Sequence, residues 1–495
     1  MKRSDGDQIV KEVQERIQEA WDHDRDNRNE AATDLAMLAG IGHWPEEAKT
    51  ARKDRPMLTI NRLPQFVRQV TNSIRQSDLS IKAQPVDSGP DTLLAKIYNG
   101  LIKQIQYRSS AEHVYAASVE GQAACGIGWF RILTEYVEDG FDQEIRIKRI
   151  HNPLSVYCDP AAIESDRSDA KWMIVTEMIP RESFKAQYPK AREVEGDAPD
   201  GDSPTLWWGT TDSVRIAEYW RKVPVKRRIA QLPSGEVIDI TDMGEAQAGM
   251  LGITRTRESM GWKVEQYMVS GSEVLSTSEW AGKYIPIVPV IGAEIPVKDR
   301  IYRYGVIRFA REPQQLYNYY RSAVAEAIAL APKAPYLATP KQIGAYKGLW
   351  DKANTSSRPY LLYDPDPNAP GVAPKREMPP DMPVALFQEA NVAAEDMKAT
   401  TGIYDAGLGA RSNETSGRAI LARESQGDTA NYHFADNFKR SLEHAGRILL
   451  DLIPKIYDNE RAIRIAGDTG ADEEQLVPIN VVMMGVDGQP VVYND

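Results

Sequence analysis

The sequence predicts an α+β fold, and three patterns carry that reading. Apolar residues recur in steps of three or four at Phe434, Phe438, Leu442, Ala445, Leu449, Leu452 and Ile456, which is one face of a helix with 3.6 residues per turn. Between residues 127 and 295 the period falls to two, as in half-buried strands. On either side of that β-rich centre the helical period returns.

From the N-terminus, residues 8–38 are helical in pattern, with Ile9, Val13 and Ile17 on one face. Their charged middle, Asp22 to Glu30, is expected to be solvated or packed on a neighbour. Arg55-Pro56 breaks the pattern; residues 57–60 are expected as a short strand, and Asn61 caps a helix running to about Gln76. Residues 79–86 alternate as a strand, and a helix pair follows over 91–126, the first burying Leu93, Leu94, Ile97, Leu101 and Ile105. Strands are then predicted at 129–136, 144–150, 155–158, 172–178, 214–223, 226–240 and 262–275. A short helix at 181–188 and an acidic, turn-rich loop at 195–204 interrupt them.

Near Tyr304 the helical pattern resumes, with Leu316, Tyr320, Val324, Ile328 and Ala331 facing inward and Tyr317 and Tyr319 at a seam between subunits. Eleven of the 31 prolines then fall within residues 332–383, too dense for one long helix. A short helix at 340–353 and a strand at 358–363 are expected inside this segment. Helix returns at 384–400, with Leu386, Ala390, Ala393 and Met397 inward. Within the stretch from Gly402 to Asp458, the run from Arg418 onward reads as a long helix of about 40 residues, roughly 60 Å at ~1.5 Å per residue. Its second half is apolar on one side only, with Lys439, Arg440, Glu443, His444, Arg447 and Asp451 on the wet face. Such a rod suits a strut in an assembly better than the heart of an enzyme.

The 495 residues leave room for two to four domains. A net charge of −11 argues against tight non-specific binding of nucleic acid, which needs a basic face. It does not argue against a partner that must slide past DNA without sticking. Cys125 and Cys158 show no pairing or metal-ligand spacing and read as small buried hydrophobes. No apolar stretch follows the basic pair Lys2-Arg3, so a signal peptide is not expected. The longest near-apolar run, 285–297, is too short to span a bilayer. The chain therefore reads as soluble and made in a reducing compartment, and the sequons at Asn354 and Asn413 have no glycosylation meaning.

Catalytic signatures are missing. Ala281-Gly282-Lys283-Tyr284 lacks the first glycine and the hydroxyl of a phosphate-binding loop, and Gly407-Leu408-Gly409 lacks the third glycine of a dinucleotide site. No Gly-x-Ser-x-Gly elbow occurs, and the six histidines have no zinc spacing; His151 reads as a turn residue. Asp159, Glu164, Asp166 and Asp169 meet no calcium-loop rule and read as a solvated loop. No enzyme, metal or cofactor is expected.

Several stretches nevertheless resemble one family. They are Met57-Leu58-Thr59-Ile60-Asn61, the Cys158-Asp159-Pro160 turn with Ser168-Asp169-Ala170-Lys171-Trp172, and Tyr304-Gly305-Val306-Ile307-Arg308-Phe309-Ala310-Arg311-Glu312-Pro313-Gln314. To these add Glu326-Ala327-Ile328-Ala329-Leu330-Ala331-Pro332-Lys333-Ala334-Pro335 and Asn413-Glu414-Thr415-Ser416-Gly417. Their order, with helix, Pro-rich insertion, helix, Gly-rich loop and long helix, resembles the portal (head–tail connector) proteins of tailed double-stranded DNA phages, the podophage-like subfamily in particular.

The resemblance implies an N-terminal helical segment (1–54), a β-rich wing (55–300), a first stem helix (301–331), a small α/β clip (332–383) and a second stem helix (384–400). A tunnel-loop region (401–417), a long crossing wing helix (418–458) and distal strands toward a crown (459–495) follow. It implies a homo-oligomeric ring, usually of twelve copies, at one capsid vertex of the virion, assembled in the host cytoplasm. Expected partners are the terminase large subunit, a head-to-tail adaptor, major capsid and scaffolding proteins, and double-stranded DNA in the channel, with no membrane. Arg411, Ser412, Asn413 and Arg418 are the candidates for the channel, with an intersubunit salt bridge as the other reading of the two arginines. Tyr346, Trp350 and Tyr360 are the clip docking candidates, and Gly402, Gly407 and Gly409 the loop hinges. A ring-forming virion scaffold without a channel, and an unrecognised nucleic-acid enzyme, remain open.

Overall fold

The structure, a computed structural model, describes residues 3–77, 79–85, 90–137, 140–192, 194, 208–232, 237–241, 243, 252–298, 300–330, 336–368, 371–377, 384–403, 431–457, 461–465, 475–479, 481–484 and 490–493. The chain mixes helix and sheet, as an α+β fold requires, in two compact units. One unit comprises Met1–Ala32, Val67–Gly305 and Asp428–Asp495; the other comprises Thr33–Phe66 and Val306–Gly427.

The first unit is built on antiparallel sheet. Strands Val156–Cys158, Trp172–Pro180, Ser213–Gln231, Arg255–Val269 and Val274–Trp280 lie side by side in that order, with Val237–Asp239 pairing the far end of Ser213–Gln231. The N-terminal helix lays Ile9, Val13 and Ile17, its expected face, against Tyr157, Trp172, Tyr219 and Val269. Glu12 on that helix accepts from Tyr219 Oη at 2.7 Å and Arg221 Nη1 at 3.0 Å, which fixes the helix in register on the sheet. The sequence-predicted strands 214–223 and 226–240 are joined into one, Ser213–Gln231, through Pro224. Between residues 222 and 228 that strand pairs on one side only among the described residues, so proline's missing N–H is tolerated at an edge.

A second sheet of Gln143–Arg149, Ile127–Tyr136 and Ile287–Ile291 carries the helix Tyr432–Ile456. Phe434, Phe438, Leu442, Ala445, Leu449 and Leu452 are buried as their spacing requires. Polar pins set the helix's position: Ser441 Oγ donates to Pro289 O at 2.6 Å, and Asn437 Nδ2 to Gly292 O at 2.7 Å. Gln122 Nε2 bridges Ile291 O (2.8 Å) and Phe434 O (3.0 Å). Residues 418–430 of the expected 418–458 helix lie outside the described residues. His444, expected on the wet face, is 2% exposed, because it packs edge-on against Tyr284. Two short ladders, Arg461–Ile465 with Gln475–Ile479 and Val481–Met484 with Pro490–Tyr493, belong to the same unit.

In the second unit the helices Arg311–Leu330 and Val384–Thr401 pack together through the small buried Ala390, Ala393 and Ala394 and through Met397. Residues 57–60 do not form a strand, and neither do 79–85 or 358–363. The stretch 57–62 runs along the Arg311–Leu330 helix, held by polar side chains instead of a sheet. That docking overturns the expected inward stripe. Gln314, Tyr317, Asn318, Ser322 and Val324 are buried, while Leu316 and Ile328 stay about half exposed and Tyr320 is only partly covered.

Candidate functional site

The Pro-rich segment between the paired helices is the region where chemistry and exposure coincide. Its fold starts from Thr339, the N-cap of the short helix Pro340–Gly344. Thr339 Oγ1 accepts from Gln342 N, and Gln342 Oε1 accepts from Thr339 N at 2.9 Å, a reciprocal capping box with proline in the first turn. The same Thr339 hydroxyl donates to Asp366 Oδ2 at 2.7 Å, and Gln342 Nε2 donates to Val372 O at 2.5 Å. Asp366 Oδ1 accepts from Asn368 N at 3.0 Å. The Thr339 hydroxyl, then the Asn368 amide, hold the Asp366 carboxyl below the usual carboxylate range. The Asp366 turn and Val372 are thus tied to one capping box, which is how a segment with so many prolines keeps a defined shape.

Trp350 closes the second helix here, Lys347–Trp350; the expected single helix over 340–353 is divided in two. Its indole Nε1 donates to Leu362 O at 2.9 Å, and its ring meets Tyr336 edge-on at 5.2 Å. Arg376 lies over the other aromatic of that pair, Tyr336, in the two-residue ladder Tyr336–Leu337 with Lys375–Arg376. Trp350 is therefore an internal brace of the segment. Tyr346 sits half-buried at the N-cap of the same helix. Tyr360, in contrast, is 71% exposed, and Leu337, Leu362, Tyr363 and Val372 are exposed with it. The sequence reading singled out Tyr360 and missed these other exposed apolar residues, although Leu362 and Tyr363 stand in the same short run, Tyr360-Leu361-Leu362-Tyr363.

Gly402 directly follows the helix Val384–Thr401 and has φ +68°, the left-handed conformation that ends helices and favours glycine. Ile403 after it is buried. The described geometry at Gly402 is that of a helix stop. Gly407, Gly409, Arg411, Ser412, Asn413 and Arg418 lie outside the described residues.

Elsewhere the acidic loop turns its carboxylates on its own backbone. Asp159 accepts from Ala161 N and Lys171 N at 3.0 Å each, Asp169 from Ile163 N and Glu164 N, and Asp166 from Ser168 N. These groups staple the loop, and Asp159 is buried, not solvated as expected. Among the described residues, no group of three or more His, Cys, Asp or Glu is placed to hold a metal ion. Cys125 and Cys158 form no disulfide among the described residues and line one cavity of about 210 Å³ with Arg28 and Arg303. Burial pushes the Cys158 thiol up to about 12, which keeps it neutral. No helix among the described residues is long and apolar enough to cross a membrane.

Two comparisons bear on this arrangement. The sequence model for phage P22-like portal proteins matches residues 14–495. A portal protein of Acyrthosiphon pisum secondary endosymbiont phage 1 is 25% identical over 506 aligned positions, which cover 94% of this chain and 68% of that protein.

Proposed function

The chain belongs to the phage P22-like portal protein family, and from that premise we propose that its copies close into a ring, of twelve, at one capsid vertex. Residues 55–300 form the wing, 301–331 and 384–400 the stem, and 332–383 the clip. The ring is the conduit for DNA packaging and ejection. Its clip docks first the terminase large subunit and later the head-to-tail adaptor, while the major capsid and scaffolding proteins meet the outside during assembly in the host cytoplasm.

The observation that carries this reading is apolar surface left open on the helix pair and the clip. Leu316, Tyr319 and Ile328 on one helix, and Val384 and Val392 on the other, stay exposed in the single chain. Heterologous contacts that close on rotation would cover such rows on every copy at once. Tyr360, Leu362 and Tyr363 supply a second apolar face, suited to partners that exchange during the life of the particle.

A net charge of −11 per copy gives an acidic ring. Each fixed phosphate contact would add a barrier to sliding, so DNA contacts are few, with Arg411 and Arg418 at either end of Ser412 and Asn413 as the candidates. Gly407 and Gly409 let the same loop adapt as DNA passes, and ATP hydrolysis belongs to the motor. Negative-stain images of the purified protein test the reading: annuli with a central hole support it. Solid particles or filaments without a hole would point to a scaffold with no channel.

A further inference from the structure

Residues 57–62 have no strand beside them among the described residues, yet their alternate amides are satisfied. The amides of Leu58, Ile60 and Arg62 donate to Ser322 Oγ (2.9 Å), Asn318 Oδ1 (3.0 Å) and Gln314 Oε1 (2.8 Å), and Gln314 Nε2 returns a bond to Ile60 O at 2.9 Å. The match is geometric: four helical residues rise about 6 Å and two extended residues about 6.6 Å. Side chains four apart on a helix therefore keep step with alternate amides of a strap for three rungs.

The middle rung is wired to a histidine. Asn318 Oδ1 accepts from Ile60 N and from Gln314 Nε2 (3.2 Å), so its Nδ2 must donate to His43 Nδ1, at 3.1 Å. His43 Nε2 then donates to Met37 O at 2.9 Å. Only the neutral ring with its proton on Nε2 satisfies every member. Asn318 is fully shielded from solvent and His43 nearly so.

We propose that His43 is a proton sensor whose protonation undocks the 57–62 strap from the Arg311–Leu330 helix. A proton taken from solvent onto Nδ1 turns that acceptor into a donor facing the Asn318 NH2. Flipping the amide would satisfy the ring but would aim the NH2 at Ile60 N–H and the Gln314 amide. No orientation of Asn318 serves both sides, so one proton sets the relay against the strap.

The charged groups on the elements that hold His43 and Asn318 are committed to other partners. On the first helix Asp34 is committed to Arg308 and Arg311, and Glu326 on the Arg311–Leu330 helix is paired with Arg52 and Arg55. Arg62 lies over Tyr317. Burial lowers the His43 pKa from its ordinary 6.5, and the Met37 carbonyl offsets only part of that. Because the docked state disfavours the charged ring, docking is fully stable above the unfolded pKa and weakens as pH falls below it.

Amide hydrogen exchange on the full chain at about pH 7.5 and about pH 5.5, corrected for intrinsic rates, tests this. Protection over residues 57–62 should fall by up to ~10-fold at the lower pH, the most that one titrating ring can supply, with the centre of the Arg311–Leu330 helix retained. His43→Gln keeps one donor and one acceptor without titrating, and should abolish the pH response. Asn318→Asp can accept from both Ile60 N and a protonated ring, and should hold the strap at the lower pH. Unchanged wild-type protection, or an equal loss in H43Q or N318D, would overturn the proposal. The readout lies within one unit and stands whether or not the chain forms a ring.

Discussion

The Arg308 guanidinium meets the Asp34 carboxylate at 3.0 Å, and Asp34 is fully shielded from solvent. Arg311 approaches the other carboxylate oxygen at 3.4 Å, so the acid holds two cations at the start of the Arg311–Leu330 helix. Removing one partner of a buried pair leaves the other charge stranded. Asp34→Ala should therefore destabilise its unit by about 3–5 kcal/mol in urea unfolding. A loss below about 1 kcal/mol would show that water reaches the arginines.

Gly128 lies under a helix carbonyl. A Cβ built there would stand 1.8 Å from Ser118 O, and the strand Ile127–Tyr136 cannot retreat without breaking its pairing on both sides. Gly128→Ala should abolish soluble expression or cost more than about 3 kcal/mol, the scale of the largest single-site losses. Gly348→Ala is the control: nothing lies within 4 Å of its Cβ position. It sits in a helix where alanine is favoured, so it should be neutral or stabilising by up to about 1 kcal/mol.

Acid should weaken the sheet-built first unit through His444. Burial drives its pKa down to about 4, although Asp166, whose Oδ2 is 3.9 Å from Nδ1, offsets part of that and Arg447 adds to it. The folded state prefers the neutral ring, so stability is full above the unfolded value of 6.5, falls as pH drops below it, and levels off near 4. The total loss is on the order of 3 kcal/mol. Asp166 works in a lower window. Burial would raise its pKa, but Ser168, His444 and Arg447 together hold it down, so its contribution disappears only below the ordinary carboxylate range. His444→Asn should flatten the decline between pH 6.5 and 4 measured by denaturant titration; an unaltered slope would assign it to other groups.

The exposed row on the Arg311–Leu330 helix yields a separation of effects. Leu316→Glu and Ile328→Glu touch half-exposed side chains, so the single chain should keep its stability within about 0.5 kcal/mol. Ring formation, followed by sedimentation, should be lost or shifted to much higher protein concentration. Normal assembly by both variants would place the seam elsewhere.

How much of this was legible depended on the kind of contact. The faces of Ile9, Val13 and Ile17, and of Phe434 to Leu452, were readable because apolar burial has a period. Burial of Gln314, Asn318 and Ser322 was not, because hydropathy scores them as surface although hydrogen bonds satisfy them inside. Their spacing of four was visible, but the extended partner at 57–62 was not, and it read as a strand. Reading Leu316 and Ile328 as core followed directly from that gap. Asn61 read correctly as a cap, since Leu63 N donates to its Oδ1 at 3.1 Å, a signal carried within three residues. In the Pro-rich segment, exposed Tyr360 was readable but braced Trp350 was not, because its partners Tyr336 and Leu362 are far along the chain.

Native mass of the purified particle tests the central claim most directly. The account requires a closed species near twelve times 55.4 kDa, stable on dilution. A monomer of 55.4 kDa at every concentration and salt tried would contradict it.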